Sequence, residues 1–201
     1  MTDLLIATQN KGKLHEYRRL LANLRVTLRA PDEVGLGRVD VDETGDTFAA
    51  NAAIKAQAFA RASGLLALAD DSGLVVDALD GRPGVHSARY GGPGLDDAGR
   101  RDRLLSELEA FDDDQRSAHF ACVIAIAAPD SETVHSVTGT CPGRIIRAAR
   151  GTGGFGYDPI FVPDGYDQTF AELPLDVKNA ISHRALAATA AIPLLREILT
   201  G

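Results

Sequence analysis

The chain has 201 residues, 45% of them hydrophobic and 24% charged, and carries a formal net charge of −7. This balance suits one globular domain and excludes a wholly disordered chain. The acidic excess argues against a general nucleic-acid binder, whose affinity comes from neutralising phosphates; the longest apolar runs, Leu65–Ala69 and Ala121–Ala128, fall far short of the ~20 residues that cross a bilayer.

Leu4–Ala7 reads as a short buried strand and Thr8–Lys13 (TQNKGK) as a loop. Leu14, Tyr17, Leu20, Leu21 and Leu24 follow with helical spacing. Val26–Arg29 is a second strand, ended by Pro31, and the acidic stretch from Asp32 to Asp46 is a loop. Thr47 predicts an N-cap for a helix running to about Ser63, with Gly64 as its stop. Leu65–Ala69, a turn at Asp70-Asp71-Ser72-Gly73 and Leu74–Leu79 predict a strand–turn–strand unit. Asp80–Gly94, with five glycines and two prolines, is a long loop. Asp96 or Asp97 caps a helix through Phe111. Ala118–Ala128 and Glu132–Thr140 form a second strand pair. Gly151–Pro159 is a glycine-rich loop, Ile160–Val162 a short strand, and Ser182 caps a C-terminal helix through Leu199 that Pro193 should kink or break. Strands and helices intermix throughout, which predicts an α/β fold with a mixed sheet. Residues 1–201 read as a single domain.

The N-terminus has neither the basic start nor the long apolar stretch of a secretory signal. Cys122 and Cys141 form no CxxC pair, so neither a zinc site nor a disulfide framework is expected, and the expected compartment is a reducing cytoplasm. Of the 21 basic residues, 17 are Arg and four are Lys: Lys11, Lys13, Lys55 and Lys178.

Four segments carry chemistry. Lys11 and Lys13 stand where a loop opens a helix, an end that favours anions over cations; a bound polyanion would resolve the conflict, as would a solvated basic turn. Asp70 and Asp71 directly follow an apolar run, where two ionised carboxylates need a partner. A divalent cation would supply one, and Mg²⁺ suits carboxylates combined with phosphates and water; an ordinary Asp-Ser-Gly turn has the same composition. Asp40, Asp42 and Glu43 could add a ligand. In the glycine-rich loop, Phe155 and Tyr157 offer flat faces for a base or tight-turn aromatics for a core. Lys178 and Ser182-His183-Arg184 place further basic groups at a helix start. There is no Gly-x-Ser-x-Gly nucleophile motif and no metal-ligand spacing among His15, His86, His119 and His135.

The segments ATQNKGK (7–13), DETGDTFAANA (42–52), ADDSGLVVDAL (69–79), PGVHSARY (83–90), GTGGFGYDPIF (151–161) and SHRALA (182–187) together resemble the inosine triphosphate pyrophosphatase family, the bacterial dITP/XTP pyrophosphatases that remove non-standard purine nucleotides. The resemblance implies an elongated two-lobed α/β fold with the nucleotide in a cleft between the lobes, and a cytoplasmic homodimer. It implies a catalytic set of Asp71, Asp70 and Lys13, with Asp71 as proton acceptor. Thr8, Gln9, Asn10, Lys11, Gly12 and Lys13 would hold the triphosphate. Ser72, Phe155, Gly156, Tyr157, Asp158, Lys178, His183 and Arg184 would bind the rest of the substrate. Mg²⁺ would sit on Asp71 with Asp42 or Glu43. The implied reaction releases pyrophosphate from ITP, dITP or XTP. A pyrophosphatase for other modified nucleotides and a non-catalytic nucleotide-binding module are the alternatives.

Overall fold

Alternation along the first apolar run sets the layering. In the computed structural model, which describes residues 2–200 with the side chain of Thr200 excepted, β1 (Thr2–Ile6) buries Leu4 and Ile6 in one cluster and Leu5 in another. Successive side chains of a strand point to opposite faces, so this strand has a helix layer on each side. α1 (Lys11–Leu20) begins earlier than expected. Asn10 caps it, its Oδ1 accepting the Lys13 amide at 3.1 Å, so Lys11 and Lys13 stand in the first turn and not in the loop. β2 (Val26–Arg29) ends ahead of Pro31, as its sequence predicts. α2 (Phe48–Ser63) has the expected limits: Thr47 Oγ1 accepts the Ala50 amide and Gly64 ends the helix.

β3 (Leu66–Val76) corrects the predicted turn at Asp70–Gly73: the strand runs unbroken through all four residues. Turn preference is a local tendency. Here Leu68 and Ala69 before it and Leu74 and Val76 after it are all buried, and a chain that stays extended buries both sets; tertiary packing outweighs propensity. α3 (Asp97–Glu107) is capped by Asp96 and stops before the expected Phe111. β4 (Ser117–Ala127) matches its prediction closely, while β5 (Val134–Ile145) continues past Thr140. β6 is Phe161–Pro163. α4 (Leu175–Ile181) was not expected, since seven residues are too few to display a period. α5 (His183–Thr200) continues through Pro193, so of the expected kink or break no break occurs. Pro193 and Thr189, whose carbonyl the proline leaves without a helix donor, are both exposed, so water can replace the lost bond.

The six strands form one sheet in the order β2-β1-β3-β4-β5-β6. β1 runs parallel to β2 and β3, whereas β5 and β6 are antiparallel. The fold is therefore α/β with a mixed sheet flanked by helices. No helix among the described residues is long and apolar enough to cross a membrane.

The chain divides into two compact units. The first comprises residues up to Asp71, Cys122–Gly139 and those from Arg184 on. On one face of its strands α1, with its C-cap Leu21, and α5 pack Tyr17, Leu21, Ala188 and Leu195 against Leu4, Ile6, Leu68 and Ile124. On the other face α2 packs Ala52, Ala56 and Ala60 against Leu5, Ala67, Ala69 and Ala125. The small side chains let α2 approach the strands closely. The second unit comprises Ser72–Ala121 and Thr140–His183, with a core of Leu74, Leu104, Phe120, Phe161 and Phe170 among others.

Candidate active site

Strand alternation sends the two adjacent carboxylates of β3 to different layers. Asp70 shares its face with Leu68, on the α1/α5 side; Asp71 shares its face with Ala67 and Ala69, on the α2 side. Asp70 is 1% exposed. Its Oδ2 lies 3.0 Å from Lys13 Nζ, 3.4 Å from Arg184 Nε and 3.7 Å from Cys122 Sγ. Burial alone would raise its pKa, but Lys13, Arg184 and Lys55 outweigh burial and hold the carboxyl well below the ordinary range. Asp71 is treated the opposite way. Burial raises its pKa, and the Asn51 hydrogen bond and the Lys55 charge only partly offset that.

Arg184 opens α5 but is buried, with Nη1 2.6 Å from Glu16 Oε2. Burial opposes its charge; Asp70 and Glu16 more than restore it. The basic start of α5 thus meets protein carboxylates. So does half of the basic start of α1, because Lys13 pairs with Asp70. Tyr17 Oη and Cys122 Sγ, 3.9 Å apart, close the same buried cluster, and burial pushes the Cys122 thiol up to about 12.

Lys11 lies on a different face of α1 from Lys13, two residues and about 200° away. With Thr8, Gln9, His15 and Arg18 it lines a cavity of about 520 Å³. Gln9 anchors the loop by donating to the Val39 carbonyl at 2.6 Å, and Thr8 Oγ1 accepts the Asn10 amide. Gly12 lies within the first turn of α1.

On the α2 side, Asn51 is fully buried and donates to Asp71 Oδ2 at 3.0 Å while accepting the Gly45 amide at 2.8 Å. A Cβ on Gly45 would come within 2.6 Å of Ala50 Cβ and 2.8 Å of Asn51 Oδ1, so glycine is what lets the acidic loop close onto α2. Lys55 donates to the Asp70 carbonyl and pairs with Glu43. Burial lowers its pKa, but Asp70, Glu43 and Asp71 outweigh burial and raise it overall. Glu43 in turn helps to raise the pKa of Asp71. Asp42 is exposed. Of the two carboxylates left open by sequence, Glu43 is therefore the one in the electrostatic neighbourhood of Asp71.

These groups suit Mg²⁺. No cluster of three or more His, Cys, Asp or Glu among the described residues could hold an ion by itself, whereas Mg²⁺ takes one or two carboxylates and completes its shell with water and substrate phosphates. Asp71 is disfavoured in its charged form by burial and by the neighbouring Glu43 charge, so added positive charge beside these two carboxylates is stabilising.

The second unit holds the remaining candidates. Lys178 Nζ lies 2.7 Å from Asp158 Oδ2, with both side chains buried, and 5.4 Å from the Phe155 ring centre. Asp158 Oδ2 also accepts the Phe155 amide at 2.8 Å. Gly154 (φ +71°) has no room for a side chain, since a Cβ would lie 2.0 Å from that same oxygen. Tyr157 is buried and donates to the Ser87 carbonyl at 3.0 Å. His183 stacks on Phe120 with ring centres 4.6 Å apart. Ser72 is half-buried on β3.

Residues 4–194 match the Ham1 family. The chain belongs to that family. A Streptomyces coelicolor relative named dITP/XTP pyrophosphatase is 49% identical over 203 residues, covering 99% of this chain and 100% of that protein. A HAM1 protein structure from Coxiella burnetii has a TM-score of 0.89 at 44% identity, covering 98% of this chain and 100% of the other. The Staphylococcus aureus Ham1 structure gives 0.83 at 38% identity, covering 98% of each chain.

Sequence reasoning about this Ham1 chain left Asn51, Lys55 and Glu16 without a role. Two of them carried a signal. Lys55 is one of four lysines beside 17 arginines. Asn51 is a polar residue on the alanine-lined, buried stripe of α2, where an unpartnered amide would be costly.

Proposed function

We propose that this chain hydrolyses the non-standard purine nucleoside triphosphates ITP, dITP and XTP to the monophosphate and pyrophosphate, clearing them from the nucleotide pool. Relatives named dITP/XTP pyrophosphatase, 46–49% identical over at least 90% of the chain, support the reaction. The observation that supports the mechanism is the different set of partners given to two neighbouring carboxylates: Asp70 Oδ2 lies 3.0 Å from Lys13 Nζ, and Asp71 Oδ2 accepts from Asn51 at 3.0 Å.

Asp71 takes the proton from the water that attacks the α-phosphorus. Asn51 holds Asp71 Oδ2 in place for that transfer. Asp70 takes no proton and fixes Lys13. Lys13 offsets the charge that develops on the leaving pyrophosphate, with Thr8, Gln9, Asn10, Lys11 and Gly12 holding the triphosphate. Asp71 and Glu43 would hold Mg²⁺, which supplies charge neutralisation at the phosphates and orients the reacting groups.

Ser72, Phe155, Gly156, Tyr157, Asp158, Lys178, His183 and Arg184 bind the nucleoside part. A 6-keto purine is selected by donors placed for its oxygen, because adenine would leave them unpaired. The Phe155 and Gly156 amides already donate to Asp158 and Asp97, and Arg184 to Asp70 and Glu16; we assign this task to His183. The family resemblance also supports a cytoplasmic homodimer.

The test is one assay: purified protein with Mg²⁺ and ITP, XTP, ATP or GTP, scoring pyrophosphate against orthophosphate. Pyrophosphate from ITP and XTP, with ATP turned over poorly, is expected. Orthophosphate as product, or ATP used as well as ITP, refutes the reading. Tight ITP binding without turnover identifies a binding module instead.

A further inference from the structure

Gly156 is held from both sides by one helix. Its N–H donates to Asp97 Oδ2 at 2.8 Å, and its carbonyl accepts from Arg101 Nη1 at 2.7 Å. Asp97 and Arg101 stand four apart on α3, on one face and in the favourable acid-before-base order. Both bonds are charge-assisted, the stronger kind. Asp97 is itself steadied by Arg100, whose Nη1 lies 2.9 Å from the second carboxylate oxygen.

The consequence is geometric. The Gly156 N–H belongs to the peptide plane shared with Phe155, and its carbonyl belongs to the plane shared with Tyr157. Holding both planes fixes φ and ψ of a glycine, the residue type with the greatest backbone freedom. The neighbours are anchored elsewhere in the same unit, Tyr157 on Ser87 and Asp158 on Lys178. Without α3, the Phe155–Gly156 plane would keep only the Asp158 amide, which donates to the Phe155 carbonyl at 3.2 Å, and the Gly156–Tyr157 plane would lose the Arg101 bond.

We infer that Asp97 and Arg101 are positioning residues: they brace Gly156 so that the Phe155 and Tyr157 segment meets the nucleoside already in its binding shape. The inference rests on the functional reading above, which gives this loop to the nucleoside. Neither residue needs to touch substrate. Ordering a loop before binding spares the entropy of ordering it afterwards. The effect therefore belongs to nucleoside affinity and not to the chemical step or the phosphates.

The experiment compares wild type with Arg101→Ala, Arg101→Lys and Asp97→Ala. Four readings are taken: KM and kcat for ITP with Mg²⁺, inhibition by inorganic tripolyphosphate, amide hydrogen exchange across Gly154–Asp158, and melting temperature. For Arg101→Ala and Asp97→Ala, KM should rise about tenfold, equivalent to the loss of one such bond. In both, kcat should stay within about twofold, which is the signature of binding lost without loss of transition-state contacts. Tripolyphosphate inhibition should not change, exchange in the loop should quicken, and Arg101→Lys should recover part of the KM. An unchanged KM with unchanged exchange overturns the inference. So does an equal weakening toward tripolyphosphate, which would mark general damage. If wild type fails to hydrolyse ITP, the functional reading falls alone, and the exchange rates still decide whether α3 braces the loop.

Discussion

Replacing Asp70 with Asn removes a charge and almost no volume. The new amide would face Lys13 at 3.0 Å and Arg184 at 3.4 Å from a site that is 1% exposed. Removing one partner of a buried ion pair costs about 3–5 kcal/mol, because the other charge is left without compensation. Arg184 keeps Glu16, and the Lys13 side chain is 15% exposed and can turn to water, so the lower end, about 3 kcal/mol, applies. In a chain of this size that is a fall of roughly 6–12 °C in melting temperature. Asp71→Asn is the control with the same chemistry one residue away. It removes a carboxylate whose ionised form burial disfavours, and its new amide oxygen can still accept from Asn51. Its melting temperature should hold or rise, while pyrophosphate release falls by about 10²–10⁴. Thermal melts and turnover of the two variants, measured side by side, decide the matter. Equal destabilisation by both, or an Asp70→Asn melt within about 2 °C of wild type, would refute the division of labour between them.

The same pair sets a pH dependence. The folded-state pKa of Asp70 lies below its unfolded value of about 3.9, so its stabilisation is complete above that value and is lost as pH falls through the folded pKa. The difference in melting temperature between wild type and Asp70→Asn should therefore be largest near neutrality and shrink in acid; a constant difference contradicts the assignment. Asp71 has the opposite sign: its raised folded pKa makes ionisation unfavourable to the fold, and the strain is relieved as pH falls through that pKa. Lys178→Met should cost about 3 kcal/mol by leaving buried Asp158 without its ammonium partner. Adding Asp158→Asn should recover part of that loss in a double-mutant cycle; simple additivity in the melts would show the two groups to be uncoupled. Chelation should abolish pyrophosphate release from ITP and added Mg²⁺ should restore it; turnover that persists in excess chelator would remove the metal from the mechanism.

Much of this protein was already legible in the order of its residues. Caps, stops and apolar spacing are local, so α2, β2 and β4 appear close to where Thr47, Pro31 and the run Ala118–Ala128 predict them. The joint order of the motifs identifies the family. What composition could not reveal is the direction each group faces. Asp70-Asp71-Ser72-Gly73 has the chemistry of a turn, yet it is strand, and the extended backbone then sends the two carboxylates to opposite layers. Only packing decides that one layer holds Lys13 and Arg184 and the other Asn51. Arg184 meets Asp70 and Glu16 across 114 and 168 residues of chain, far beyond any local pattern. A side chain's type is written in the sequence, but the charge it keeps depends on neighbours that only the folded chain assembles.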